Sequence, residues 1–160
     1  MIMVRYRNVL LALFLVFFTV GCATKGIMGG SDYIRWRDLS EGKKEAGEKK
    51  LPILVDFFMG KGCPRCEKLV DTVYANPEFA EKINRHFIPV RINRNFTLTT
   101  EELNLDKKLG SNGECVLTFL DADGNIVTDE NGEQIKSMAI LTEESFAAHV
   151  DRALSRVKSK

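Results

Sequence analysis

Two periods of apolar spacing alternate along this chain. Leu51-Pro52-Ile53-Leu54-Val55-Asp56-Phe57-Phe58 is a nearly unbroken apolar run rich in β-formers, and it predicts a buried strand over 52–58. After it the spacing becomes helical, with Leu69, Val70, Val73 and Tyr74 apolar, which predicts a helix over about 64–74. Asn76-Pro77 breaks the chain, and a second helical piece runs from Pro77 to His86. Phe87 to Ile92 reads as a strand, and Thr99-Thr100-Glu101-Glu102 opens a helix that reaches about Leu109. Cys115 to Leu120 reads as another strand, turned by Asp121-Ala122-Asp123-Gly124-Asn125 into a hairpin with Ile126-Val127-Thr128. Asn131-Gly132 marks a further turn, and Phe146, Val150, Leu154 and Val157 form one stripe on a last helix from Thr142. Upstream, Leu39 to Glu48 is expected to be helical, with Lys43, Lys44, Lys49 and Lys50 on a solvated face and Trp36 packed at its start. The order α-β-α-α-β-α-β-β-α implies an α/β fold: a mixed central sheet with helices on both faces.

The first residues follow neither period. Arg5 and Arg7 precede an apolar run of twelve residues from Val9 to Val20, shorter than the ~20 a membrane-spanning helix needs and fitting a signal-peptide core. Phe18-Thr19-Val20-Gly21-Cys22 resembles a bacterial lipobox, with Thr19 where leucine is usual. That resemblance implies a lipoprotein signal peptide over 1–21 and a lipid on Cys22. An ordinary signal peptide or an uncleaved anchor are the alternatives; all three place the domain in the cell envelope, facing the periplasm or the outside, where disulfides persist. With Ala23 rather than aspartate after the cysteine, the lipoprotein resemblance implies the outer membrane. Residues 22–32 are small and Gly-rich and read as a flexible tether, leaving 33–160 as one domain.

Charge changes little. Arg5 and Arg7 are the only charged residues of 1–21, so the remainder has 21 basic against 22 acidic side chains, and nothing points to nucleic acid. Cysteine matters more. With Cys22 assigned to lipid, Cys63, Cys66 and Cys115 remain, an odd number that excludes a multi-bridge scaffold. The turn Asp121–Asn125 has Gly124 fourth rather than sixth, so it is read as a plain turn and not an EF-hand loop. His86 and His149 each lack an acid or cysteine at ligand spacing and are assigned surface or capping roles.

The chemistry centres on Gly60-Lys61-Gly62-Cys63-Pro64-Arg65-Cys66. A C-x-x-C on a strand-to-helix turn is the thiol–disulfide redox signature. Residues i and i+3 of a first helical turn are close enough to bridge. Cys63 is expected at the N-cap, where unpaired N–H groups and the helix dipole favour its thiolate, with Lys61 and Arg65 adding positive charge beside it. Pro64 suits the first helical position. Cys66, one turn in, is expected to be the buried resolving thiol. Half of a structural zinc site is the alternative, but no second ligand pair accompanies it.

With its flanks, this motif resembles the thioredoxin-like superfamily over roughly 35–157. The residues that carry the resemblance are Cys63 and Cys66, Asn76-Pro77-Glu78-Phe79, Phe87-Ile88-Pro89-Val90, and Leu117 to Gly124. It implies a thioredoxin-like fold and a thiol–disulfide oxidoreductase acting on protein thiols and disulfides, with no cofactor beyond its own dithiol and with an envelope redox partner to recycle it. Three departures stand out. Gly62 replaces the family's tryptophan, and Asp56 lies seven residues before Cys63 where the family's buried acid lies six before, so its side chain is free to point elsewhere. Cys115 occupies the position of the family's cis-proline, so a trans bond is expected there with the sulfur near Cys63. A small buried apolar residue is the plain alternative for Cys115. A rival function follows from the same residue: Cys63, Cys66 and Cys115 as a copper- or zinc-binding cluster. A redox-inert assembly factor is a third reading.

Overall fold

The computed structural model describes residues 33–158. The leader 1–21 and the tether 22–32, Cys22 included, lie outside the described residues. Five helices flank one four-stranded sheet: α1 (Leu39–Lys49), β1 (Ile53–Phe58), α2 (Pro64–Leu69), α3 (Pro77–His86), β2 (Ile88–Asn93), α4 (Thr100–Leu109), β3 (Leu117–Leu120), β4 (Lys136–Ser137) and α5 (Glu143–Lys158). The strand order is β2-β1-β3-β4. β1 runs parallel to β2, with Ile53 opposite Ile88, and antiparallel to β3, with Ile53 opposite Leu120. Arg37 extends the sheet past β2: its amide donates to Pro89 O (3.0 Å) and its carbonyl accepts from the Arg91 amide (3.1 Å).

Alternation along β1 divides the core. Ile53, Val55 and Phe57 pack with Leu39 and Ala46 of α1, Ile88, Val90 and Ile92 of β2, and Leu105 and Leu109 of α4. Leu54 faces the other way, onto Leu69, Val73, Tyr74, Ile83, Phe119 and Phe146. The sheet therefore has α1 and α4 on one face and α2, α3 and α5 on the other. Gly42 lets α1 sit tight against β2, since a Cβ there would lie 2.2 Å from Val90 Cγ2.

The helix starts follow their capping chemistry. Asp38 accepts from the Glu41 amide (2.8 Å) ahead of α1, Asn76 accepts from the Glu78 amide (3.0 Å) ahead of α3, and Thr99 and Glu102 cap each other's backbone amides at α4. Helix α2 does not end at Leu69 but widens into a π-helical turn over Val70–Tyr74.

Two details differ from the sequence reading. β3 begins at Leu117, with Cys115 and Val116 in the loop before it. The return strand is the two-residue β4 rather than Ile126–Thr128. Residues 126–128 make only isolated bridges, Leu120 to Ile126 and Thr128 to Gln134. The cause is a pair of side-chain-capped turns: Asp121 Oδ1 accepts from the Asp123 and Asn125 amides, and Asp129 Oδ1 from those of Asn131 and Glu133. Asp121 is thereby occupied by its own turn. The lysine face of α1 is solvated as expected, with Lys43 pairing with Glu101 and Lys49 with Glu45 at the surface.

Candidate functional site

The end of β1 and the start of α2 build the site. The connecting turn reaches Gly62 at φ 89°, a left-handed conformation that a tryptophan would occupy only under strain. Cys63 is the N-cap of α2 in extended conformation, its sulfur accepting from the Cys66 amide (3.2 Å). Pro64 takes the first helical position. Glu67 completes the cap by accepting from the Gly62 amide (2.9 Å), a role the sequence reading had not assigned. Cys63 and Cys66 form a disulfide with Cα atoms 5.2 Å apart. Cys63 is half-buried at the surface, whereas Cys66 is fully buried and receives the Met59 amide (3.5 Å) on its sulfur.

Arg65 corrects the expectation of a cation beside Cys63. Its side chain turns inward, is 5 % exposed, and pairs with the fully buried Asp56 (Nη1 to Oδ1, 3.1 Å). Asp56, seven residues before Cys63, also turns into the interior. It shares the Leu54 face of β1, under α2. Its other oxygen accepts from the Tyr74 hydroxyl (2.9 Å). Burial first, and then the Asp56 charge, push the Tyr74 phenol well above its ordinary value, against the opposing pull of Arg65 and Arg91. Tyr74 therefore stays the donor. The π-helical turn carries Tyr74 to this position. Trp36 packs edge-on to Tyr74 with ring centres 5.1 Å apart and beneath the Arg91 guanidinium (4.0 Å), which makes it a packing residue.

Cys115 comes to the same place from the loop before β3. The sulfurs of Cys63, Cys66 and Cys115 all lie within 4.8 Å of one another. No peptide bond among the described residues is cis. Burial raises the Cys115 thiol, with Arg65 and Arg94 opposing it, so the group is protonated near neutral pH. His86 and His149 stand apart from this cluster; His149 Nδ1 bonds the Ser145 carbonyl (2.7 Å) within α5. Two surface clefts, one lined by Tyr33, Asn84 and Arg85 and the other by Asp71, Asn76 and Glu143, contain no cysteine.

A second buried network holds the Cys115 loop. Arg94 donates to Asp106 and to Ser111 (3.2 Å), Ser111 donates to Asp106, and the Arg94 guanidinium lies 4.5 Å from the Phe57 ring centre. Burial alone would raise the Asp106 carboxyl, but the hydrogen bonds from Arg94 and Ser111 hold it below its usual value. A carboxyl lowered by folding contributes stability that is present above the unfolded value of about 3.9 and is lost as pH falls through the lower folded one. Unfolding measured in urea across pH should therefore show an acid loss below about pH 4 that Asp106→Asn reduces. An unchanged acid limb in that variant would remove Asp106 from the account.

A parallel–antiparallel sheet of this order, with a C-x-x-C disulfide at the start of the helix after β1, defines the thioredoxin class. The chain belongs to the thioredoxin-like domain family, which it matches over residues 39–145. Among solved structures it is similar to the DsbH oxidoreductase (TM-score 0.55, 19 % identity, covering 76 % of this chain and 85 % of that one). It is also similar to a candidate disulphide isomerase from Bacteroides thetaiotaomicron (0.60, 22 %, 79 % and 97 %) and to a thioredoxin from Thermus thermophilus (0.60, 15 %, 79 % and 92 %). At these identities the likeness concerns the fold.

Proposed function

We propose that this protein is a thiol–disulfide oxidoreductase of the bacterial cell envelope, working through Cys63 and Cys66. The observation that carries the reading is the asymmetry of the pair. Cys63 is at the surface, capping a helix start that favours its thiolate, and Cys66 is fully buried behind it within bridging distance. The reduced form would attack a substrate disulfide through the Cys63 thiolate. One substrate sulfur leaves as thiolate, and a mixed disulfide remains on Cys63. Cys66 then attacks Cys63, releasing the second substrate thiol and closing the Cys63–Cys66 disulfide. Two electrons pass from protein to substrate, and the reverse order oxidises a dithiol. The protein's own sulfurs carry the electrons, and another dithiol or disulfide protein of the envelope resets them. Equilibration with a glutathione redox buffer tests this. A reversible two-electron couple supports exchange, and a disulfide that resists the buffer does not.

The same reading places a lipid on Cys22, with 22–32 as tether, and favours the outer membrane. Its support is the short apolar run ending in Gly21-Cys22 after Arg5 and Arg7. No described helix is long and apolar enough to cross a membrane. Cys22→Ser should release the protein from the membrane fraction or leave it as an unprocessed precursor. A variant still cleaved after Gly21 and still sedimenting with membranes would contradict the assignment.

A further inference from the structure

We propose that, once the disulfide is reduced, Cys63, Cys66 and Cys115 form a three-thiolate site for a soft monovalent cation, Cu(I). The exchange chemistry needs only two sulfurs, yet the fold brings a third to them. Cys63 comes from the β1–α2 turn, Cys66 from the first turn of α2, and Cys115 from the loop before β3, and their sulfurs lie within 4.8 Å of one another. Thiolates about 2.3 Å from one shared ion sit about 4 Å apart, so side-chain rotation alone brings the three to that spacing. Among the described residues no histidine or carboxylate joins the group. A closed zinc site wants four ligands, whereas an all-sulfur site of three suits the softer ion.

The surroundings are those of a held ligand set. The Met59 amide points at the Cys66 sulfur (3.5 Å), and Asn95 Nδ2 in turn holds the Met59 carbonyl (2.5 Å). The Arg94–Asp106–Ser111 network ties down the loop that presents Cys115. The steps balance without redox chemistry at the metal. A partner dithiol delivers two electrons and two protons to the Cys63–Cys66 disulfide and becomes a disulfide itself. Cu(I) then displaces the thiol protons to solvent and keeps its oxidation state.

The test uses the full chain carrying Cys22→Ser, solubilised in mild detergent, reduced with a phosphine and titrated anaerobically with Cu(I) against bathocuproine disulfonate. One Cu(I) per chain is expected, with three sulfur neighbours by X-ray absorption. Cys115→Ser and Cys115→Ala should each weaken retention more than about 100-fold, because loss of an outer-shell partner alone costs about 10–100-fold. The alanine variant keeps a small apolar group in the loop, and circular dichroism checks that both variants fold. Copper lost to the competitor by the unsubstituted protein would overturn the proposal. So would equal affinity and two sulfur neighbours with and without Cys115, or retention of Zn(II) in place of Cu(I). None of these readouts depends on thiol–disulfide exchange, so their failure leaves the proposed function standing.

Discussion

Cys63→Ser will abolish disulfide exchange, and Cys66→Ser will accumulate mixed disulfides with substrate. The asymmetry follows from the helix start. The Cys63 sulfur is the one at the surface, and it already accepts the Cys66 amide, so charge on it is stabilised where a substrate can reach it. Cys66 is fully buried and reaches only a sulfur already joined to Cys63. Removing the attacking sulfur should lower the rate on the order of 1,000-fold or more, the scale on which loss of a nucleophile is felt. Removing the resolving sulfur stops the reaction halfway. Because the Cys115 sulfur lies within 4.8 Å of both, the trap should be sharpest in Cys66→Ser/Cys115→Ser. Non-reducing electrophoresis followed by mass spectrometry of the adducts reads the result. Adducts on Cys66 in a Cys63→Ser protein would reverse the roles.

Arg65→Leu should cost the fold about 3–5 kcal/mol, the range found when one partner of a buried ion pair is removed. Asp56 is 0 % exposed and has two partners, the Arg65 guanidinium at 3.1 Å and the Tyr74 hydroxyl at 2.9 Å. Leucine leaves the carboxylate with the hydroxyl alone, under α2 and out of reach of water. The loss should fall largely away in Arg65→Leu/Asp56→Leu, which removes both charges together. Urea unfolding of the two variants and the unsubstituted protein measures the difference. A change below about 1 kcal/mol in the single variant would mean that the pair is solvated rather than buried.

How much of this was legible in the sequence varied with the physics involved. The apolar run before Cys63, the Asn76-Pro77 break and the Thr99 cap are local signals, and the elements they predict lie within a residue or two of those observed. The approach of Cys115 to the pair followed from the resemblance. β4 escaped because two residues are too few to show alternation, and because the Asp121 and Asp129 turns interrupt the return that Ile126–Thr128 would otherwise make. The inward turn of Arg65 escaped because a charged residue in an exposed-looking motif gives no sign of a buried partner nine positions earlier. Spacing counted to Cys63 leaves the direction of Asp56 open, because strand parity, not distance along the chain, decides which face it joins. Tyr74 reads as one more apolar position of a helix, and only the π-helical turn reveals it as the donor to Asp56.

The most direct measurement is the reduction potential of the Cys63–Cys66 couple, obtained by equilibrating the protein in redox buffers and counting alkylated thiols by mass. A working oxidoreductase should give a reversible value between about −270 and −120 mV, the span of thioredoxin to the strongest envelope oxidants. A value below about −300 mV would mark a structural disulfide and contradict the account.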